Sequence, residues 1–341
     1  MVQSLYSLDE EQAAIWVYLE HDQGVLQGVS LELLSKAREL ADPVGWSVTG
    51  LLLTHEAGAE MAQNAFHHGA DEVWLWQHPL LEHFSIDSCG KLVGEAMLEG
   101  RPSVFLAGAT HDGRDLAGRL AVRLRAGLTA DCTQLALDRQ TGTLVGEVSG
   151  FGGGVLAMIE APEHRPQMAT VRPGVFTASQ PDRGRQGELL QRQVELAEDE
   201  IRDRVIEHQV GEAVDLTQAP VLVVGGRGVE GDFGPLRQLA RHLGGEVGAT
   251  RPPIDDGFIQ RERQIGQTGV VCRPKVAIVV GASGAFQFVV GVQEADLLIA
   301  INNDPEASIF DYADYGIVGD AAEVVPAILK HLEAAREVVH G

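Results

Sequence analysis

The sequence predicts an α/β protein with two doubly wound parallel sheets, the C-terminal one a Rossmann-like domain. Short β-branched runs such as residues 221–224 (VLVV) and 276–280 (VAIVV) indicate strands buried on both faces. Segments with helical spacing alternate with these runs, as in βαβ units. Most strands are followed by Gly, Ser, Thr or Asn, and such exits line up at the ligand-binding edge of an open parallel sheet.

Length, charge and cysteine content set the outer limits. A chain of 341 residues is long enough for two domains. The formal charge of −23 argues against nucleic acid or an anionic membrane as partner. No apolar stretch is long enough for a membrane span, and the acidic N-terminus does not resemble a signal peptide. Cys89, Cys132 and Cys272 lie far apart, so we expect no cysteine metal site and a reducing cytoplasm.

The first half alternates strands and helices. We predict strands at 14–20, 46–53, 72–76 and 103–107, and helices at 29–41, 57–68, 88–99 and 112–126. Asp112 is the expected N-cap of the last of these helices. Strand-like runs follow at 129–137, 144–148, 155–160 and 167–171. We expect them to add antiparallel strands at one edge of the first sheet.

Composition divides the chain into three parts. Residues 1–187 form an N-terminal α/β domain, and its final stretch, 177–187 (TASQPDRGRQG), has linker composition. Residues 188–217 form a connector in which 189–210 are charged with helical spacing. Residues 218–341 form the second domain. Its last strand is predicted to end at Asp320, and its last helix to carry Pro326 in the first turn.

A loop in the first half has two interpretations. Residues 108–115 (GATHDGRD) follow a predicted strand and open a helix. Such a turn can bind a nucleotide phosphate at the helix N-terminus. It can equally be a plain strand-to-helix turn with a capping Asp, and we favour that second interpretation.

The strand exits of the second half carry more specific signals. Residues 225–228 (GGRG) do not match GxGxxG, so the usual dinucleotide fingerprint is absent. A Gly-rich turn followed by Arg still offers backbone N–H groups and a guanidinium to a pyrophosphate. The companion motifs are Thr250-Arg251, GQTG at 266–269, GASG at 281–284 and Asn302. Together they predict a site for one large phosphate-bearing cofactor.

These residues resemble one family closely. The segments GQTG (266–269), GASGAFQ (281–287), AINNDPEASIF (300–310) and ADYGIVGD (313–320) are similar to signatures of the electron transfer flavoprotein alpha subunit. In the first half, FLAGATHDGRDLAGRL (105–120), GLTADCTQL (127–135) and RPQMATVRPGVF (165–176) fit the same family. The resemblance covers almost the whole chain.

The resemblance implies a heterodimer with an electron transfer flavoprotein beta subunit and one FAD in the C-terminal, FAD-binding domain. It also implies electron delivery to or from a flavoprotein dehydrogenase of the acyl-CoA dehydrogenase type, with no covalent substrate chemistry. The implied flavin contacts are Arg227, Thr250, Arg251, Ile265, Gly266, Gln267, Thr268, Ser283, Gly284, Ala285, Phe286, Gln287, Phe288, Asn302, Asp320 and Ala321.

The resemblance also implies a role for several of these contacts. Arg227 would lie near the pyrophosphate, Thr250 and Arg251 against the isoalloxazine, and the Thr268 hydroxyl near flavin N5. Residues 283–288 would surround the ribityl chain and the ring. Asn302 and Asp320 would hold the adenosine end, although Asp320 can also serve as a helix cap.

Phe288 departs from the family pattern. Many members have His there, facing the flavin C2 carbonyl, and Phe can neither donate a hydrogen bond nor carry charge. Stabilisation of one-electron-reduced flavin from this position is therefore in doubt, and backbone N–H groups or Arg251 would have to supply it.

Several functions remain open at this stage. Segments 105–120 and 165–176 look more like alpha subunits of flavin-bifurcating systems, in which a beta subunit with a second FAD oxidises NADH and the alpha-subunit domain swings between partners. A simple single-FAD shuttle is the first alternative. A stand-alone flavin oxidoreductase would need an acid or base beside the flavin, and no His stands at a signature exit. An adenine-nucleotide sensor would be colourless.

Overall fold

The computed structural model describes residues 5–6, 11–149, 156–203, 216 and 219–340. The chain divides into two compact units, Met1–His208 and Gln209–Gly341. Among the helices of the described residues, none combines the length and apolar composition that a membrane crossing requires.

Unit 1 contains four helices and twelve strands in its described part. The strands are β1 (Gln12–Tyr18), β2 (His21–Asp22), β3 (Val25–Leu26), β4 (Ser47–Thr54), β5 (Glu72–Gln77), β6 (Pro102–Gly108), β7 (Leu128–Cys132), β8 (Gln134–Leu137), β9 (Leu144–Ser149), β10 (Leu156–Glu160), β11 (Gln167–Val171) and β12 (Glu188–Arg192). The helices are α1 (Gly28–Ala41), α2 (Gly58–His67), α3 (Ile86–Gly100) and α4 (His111–Leu124).

The main sheet of unit 1 is parallel, in the order β12-β5-β4-β1-β6-β11-β7. Leu33 of α1 and Met61 of α2 belong to the core on one face, and Leu92 of α3 and Leu116 of α4 to the core on the other. The sheet is doubly wound, as predicted. The strand order reverses between β1 and β6, so their carboxyl ends border the crevice where such sheets bind ligands.

The expectation of antiparallel strands at the edge of this sheet is wrong. Strands β7 and β11 extend the main sheet in parallel. Strands β8, β9 and β10 form a separate antiparallel sheet. Its inner face carries Leu135 and Leu144, which pack into the α1-side core, while Met158 is exposed. The predicted single strand 129–137 is therefore two strands, because its second half joins this smaller sheet.

The predicted linker at 177–187 and the start of the predicted helical connector both lie inside unit 1. The Asp182 N–H donates to the His67 carbonyl at 2.9 Å, and Arg185 forms an ion pair with Asp71. Residues 188–192 form strand β12, not a helix, and pair in parallel with β5. Pairing with the open edge of β5 gives this segment backbone hydrogen bonds, and these stabilise a strand despite the helical spacing of its side chains. Residues 193–203 are not α-helical either and contain only the short 3-10 helix Glu198–Glu200, while residues 204–210 of the predicted segment lie outside the described residues.

Unit 2 has one parallel sheet, in the order β14-β13-β15-β16-β17. Its strands are β13 (Val221–Gly225), β14 (Glu246–Ala249), β15 (Val276–Val280), β16 (Leu298–Asn302) and β17 (Tyr315–Val318). Its helices are α5 (Gly234–Leu243), α6 (Arg251–Asp255), α7 (Phe286–Val289) and α8 (Ala321–His340). The predicted parallel sheet of the second half is confirmed, with β15 as its central strand.

Two predicted helix starts need correction. Helix α8 begins at Ala321, so Pro326 lies inside it and not in its first turn. Asp320 precedes α8 and caps its N-terminus, because its Oδ1 accepts the Ala322 N–H at 2.8 Å. In unit 1 the N-cap of α4 is Thr110 and not Asp112, since the Thr110 hydroxyl accepts the Gly113 N–H at 2.9 Å. Both caps satisfy helix N–H groups that would otherwise lack partners.

Candidate cofactor site

Unit 2 has a cavity of about 690 Å³ at the carboxyl edge of its sheet, reached by the turns after β13, β14, β15 and β16. The predicted residues that line it are Arg227, Thr250, Arg251, Ile265, Gly266, Thr268, Ser283, Gly284, Ala285, Gln287, Phe288 and Asn302. The fold thus brings together residues that are up to 75 positions apart in the sequence, because parallel strands end at one edge.

The turns after β13 and β15 pack backbone against backbone. The Gly226 N–H donates to the Val280 carbonyl at 2.8 Å, and the Gly228 N–H to the Gly281 carbonyl at 2.9 Å. A Cβ at position 226 would collide with the backbone of residues 281 and 282. The glycines of the GGRG segment therefore allow the turns after β13 and β15 to pack closely against each other. It leaves Arg227 exposed at the cavity.

The buried side chain of Asn302 connects the turn after β15 to the turn after β16. Its Nδ2 donates to the Ala282 carbonyl at 2.8 Å, and its Oδ1 accepts the Asp304 N–H at 2.9 Å. The amide thereby fixes the turn after β15 against the turn after β16. Its second N–H is the group left to address the cavity.

The segment from Gln264 to Val270 forms a tight loop before β15, and this loop packs between the exit of β14 and helix α7. The Ile265 N–H donates to the Ala249 carbonyl at 2.9 Å, and the Gly266 N–H to the Val270 carbonyl at 3.0 Å. The Gln267 N–H donates to the Gln287 carbonyl at 2.6 Å. This loop carries the Thr268 side chain, exposed, at the cavity wall.

Four of the predicted contacts lie outside the cavity lining. Gln267 contributes backbone hydrogen bonding to the loop, and Phe286 is the first residue of α7. Asp320 caps α8, and Ala321 is the first residue of that helix. Their assignment as cofactor contacts stays a prediction.

Several residues that line the cavity were not predicted from the sequence: Pro252, Gln264, Asn303, Asp304 and Ala307. Asn303 and Asp304 lie within the quoted segment 300–310, so their adjacency to Asn302 was the available signal. Gln264 precedes the GQTG motif by one residue and carries no pattern of its own. Only the loop that returns Thr268 toward it brings it to the site.

The lining fits a flavin nucleotide. Ile265, Ala285 and Phe288 supply apolar surface for planar rings, and Phe288 is 6% exposed and part of the unit 2 core. Arg227 and Arg251 supply guanidinium groups suited to pyrophosphate and to a ring that gains negative charge. A mostly apolar cleft with a few polar groups at its edges is the usual form of a cofactor pocket.

The loop at 108–115 in unit 1 is built around an internal carboxylate. Glu20, just beyond β1, is 6% exposed, and its Oε2 accepts the Thr110 hydroxyl at 2.7 Å, at the N-terminus of α4. Burial raises its pKa to about 7, against the lowering effect of the Thr110 hydroxyl and the Gly108 N–H. A phosphate at this helix end would meet the carboxyl group of Glu20, which already accepts the hydroxyl of the N-cap residue Thr110. The geometry agrees with the capped-turn interpretation of the loop, with Thr110 as the cap.

Fold and site together define a class, a two-unit α/β protein with a nucleotide-cofactor cavity in its second unit. The cavity lies at the carboxyl ends of β13 and β15, between which the strand order of the sheet reverses. Sequence comparison gives the family. Residues 15–197 match the electron transfer flavoprotein domain, and residues 215–293 match the electron transfer flavoprotein FAD-binding domain. The chain belongs to the electron transfer flavoprotein alpha-subunit family, and that resemblance is confirmed.

The relatives align over nearly their full length. Protein FixB of Clostridium saccharobutylicum is 41% identical over 329 residues, covering 95% of this chain and 97% of the relative. The electron transfer flavoprotein subunit alpha of Thermoanaerobacterium thermosaccharolyticum is 40% identical, covering 94% and 97%. The acryloyl-CoA reductase electron transfer subunit beta of Anaerotignum propionicum is 37% identical, covering 94% and 96%.

Proposed function

We propose that this chain is the FAD-carrying alpha subunit of a heterodimeric electron transfer flavoprotein. The observation that carries the proposal is the cavity at the carboxyl edge of the unit 2 sheet, which is lined by most of the predicted flavin contacts. Membership of the family supports a flavin, and the size and mixed lining of the cavity favour the dinucleotide FAD. The bound flavin would supply reversible acceptance of one or two electrons.

The chain's own residues would bind and orient that cofactor. Arg227 neutralises pyrophosphate charge at the β13 exit, and the remaining N–H of Asn302 addresses the adenosine end. Thr250 and Arg251 flank the ring at the β14 exit, where the guanidinium favours negative charge on it. Phe288 and Ile265 cover apolar ring surface and keep water away.

A carrier fits the cavity better than a stand-alone oxidoreductase does. Among the described residues that line the cavity, the acid is Asp304, and its Oδ1 already accepts the Glu306 N–H at 3.0 Å. No His, Cys or Tyr is among those lining residues. General acid–base chemistry on a substrate would need such a group within hydrogen-bond reach.

Acid precipitation of the purified full-length chain tests the cofactor. We expect yellow protein and FAD in the supernatant, because the described residues of the cavity wall include no Cys or His for a covalent link. Arg227→Ala should lower FAD retention, whereas Arg241→Ala, exposed on α5 away from the cavity, should not. Colourless protein, FMN, or flavin in the pellet would overturn the assignment.

The partners we propose are a beta subunit of the same family and an acyl-CoA dehydrogenase-like flavoprotein, in the cytoplasm. One relative is named as an electron transfer subunit of acryloyl-CoA reductase, which supports an acyl-CoA-directed partner. Association with the beta subunit is tested by co-expression and size-exclusion chromatography of the pair. Elution of the two chains as separate species would contradict it.

A finer proposal is NADH-dependent electron bifurcation. Here NADH would give two electrons at a second FAD in the beta subunit, one passing through this chain and one to a low-potential acceptor. The segments 105–120 and 165–176 and the acryloyl-CoA reductase relative favour it. The αβ pair should then contain two FAD and be reduced by NADH. One FAD without NADH reduction would establish the simple shuttle.

A further inference from the structure

The side chains of Gln264 and Thr268 form a hydrogen bond at the cavity wall. Gln264 Nε2 donates to Thr268 Oγ1 at 2.8 Å. Gln264 is 7% exposed, whereas the Thr268 side chain is exposed, and both line the cavity. A buried amide thus supports the one hydroxyl that the loop presents to the cavity.

The backbone holds Gln264 in place independently of its side chain. Its residue position forms a parallel bridge with Ala249 at the end of β14. Its carbonyl accepts the Val270 N–H at 2.8 Å. Gly269 lies so close that a Cβ there would collide with the Gln264 carbonyl. The loop therefore keeps the amide and the hydroxyl at a fixed separation.

This contact determines which way the Thr268 hydroxyl points its proton. A hydroxyl has one O–H donor and two acceptor lone pairs, and an amide N–H is a donor. Because the Gln264 amide occupies a lone pair of Oγ1, the Thr268 proton cannot be directed at Gln264. It therefore remains available to donate to an acceptor bound in the cavity.

We propose that Gln264 is a positioning residue that makes Thr268 a hydrogen-bond donor toward a ring nitrogen or carbonyl of the bound flavin. The inference rests on the proposed function. An acceptor atom on the ring becomes more electron-rich when the ring is reduced, so a fixed donor favours the reduced state. Loss of the Gln264 amide frees the hydroxyl to rotate, and the reduced state loses that preference.

The test is a double-mutant cycle on the full-length chain, read by spectroelectrochemical titration of the bound flavin. Gln264→Met keeps the length of the side chain without its donor, and Thr268→Val removes the hydroxyl. We expect each to lower the reduced-to-oxidised ratio at a fixed potential about tenfold, equivalent to about 59 mV for one electron. The double variant should shift no further than either single variant. Gln260→Met, exposed and away from the cavity, is the control and should leave the potential unchanged.

Each possible result of this experiment either supports the proposed role of Gln264 or overturns it. If Gln264→Met leaves the potential unchanged, or its shift adds to that of Thr268→Val, Gln264 does not act through Thr268. Should Gln264→Met fail to fold, Gln264→Glu replaces it. A carboxylate accepts the Thr268 proton, and its charge also lowers the potential directly, so Gln264→Glu is compared with and without Thr268→Val. An equal shift in both backgrounds overturns the proposal. Wild-type protein without flavin would refute the proposed function itself, a result visible in its absorption spectrum before any variant is made.

Discussion

Asp255 Oδ2 lies 3.1 Å from Arg251 Nε, one helical turn away on α6. A carboxylate of the protein itself therefore pairs with the guanidinium at the cavity edge. The two side chains are 66% and 59% exposed, so solvent screens the pair. Arg251 also lines the cavity. Its guanidinium is therefore shared between Asp255 and whatever charge the cofactor develops.

Arg251→Ala should lower the potential for the first electron while FAD stays bound. A charge-assisted hydrogen bond is worth roughly 1.5–3 kcal/mol. On a one-electron couple this corresponds to about 60–130 mV. Because Asp255 competes for the guanidinium and solvent is close, we expect the lower half of that range. A potentiometric titration measures it, and an unshifted potential would leave Arg251 a structural residue.

Asp255→Asn should move the potential in the opposite direction. It removes the competing charge and leaves Arg251 in place. An exposed ion pair contributes up to about 1 kcal/mol, so the potential should rise by at most about 40 mV. The rise should shrink at high salt, as for any exposed pair. The double variant with Arg251→Ala should lose the effect, and persistence of the rise there would mean that Asp255 acts on the flavin directly.

Phe288→His should stabilise one-electron-reduced flavin, because it adds a donor at a cavity wall that now has an apolar ring. Burial of an imperfectly satisfied imidazole should lower the free energy of unfolding by about 1–3 kcal/mol. Phe286→His is the matched control, since Phe286 lies two residues away and does not line the cavity. An equal yield of one-electron-reduced flavin in folded Phe288→His and wild-type protein would show that position 288 does not face the ring.

Gly284→Ala should destabilise unit 2 and reduce FAD retention. Gly284 has a φ of +88°, and a Cβ there would collide with the backbone at Ile309. Gly244→Ala separates the two effects, because Gly244 also has a positive φ (+67°) but no neighbour within 4 Å of a new Cβ. Denaturant unfolding should show a loss of about 1 kcal/mol for Gly244→Ala and clearly more for Gly284→Ala. Equal losses of unfolding free energy in the two variants would show that the backbone at Ile309 moves to accommodate the new Cβ.

Glu20→Gln should flatten the pH dependence of stability near neutrality. Burial raises the Glu20 pKa from 4.5 to about 7, so the folded protein holds this proton more tightly than the unfolded chain does. The associated stability is complete below about pH 4.5 and is lost as the pH rises through about 7. The loss is on the order of 3 kcal/mol.

Glutamine stays neutral and keeps an oxygen for the Thr110 hydroxyl, so above pH 7 this variant should be more stable than the wild type. Unfolding titrations at pH 5 and pH 8 measure the difference. Asp112, whose charge also raises the Glu20 pKa, must be intact in both proteins. Glu60→Gln, at an exposed position on α2, is the control. Parallel curves for Glu20→Gln and wild type would contradict the prediction.

The sequence alone determined the two parallel sheets and the family. Short β-branched runs followed by Gly, such as 221–224, favour a strand covered on both faces. The strand exits carry motifs because ligand groups must lie at the carboxyl edge. Twelve of the residues predicted as flavin contacts line one cavity, and those that follow directly after strands meet there for the same reason.

Only the tertiary structure decided which distant groups meet. Strand β12 forms because the edge of β5 is open to it, although residues 188–192 lie in a segment with helical spacing. Glu20 reaches the N-terminus of α4 because β1 and β6 are neighbours, and neither sequence segment shows that. Gln264 meets Thr268 because a loop returns on itself. Such contacts depend on strand order and loop closure, which are properties of the whole packed chain and leave no local pattern.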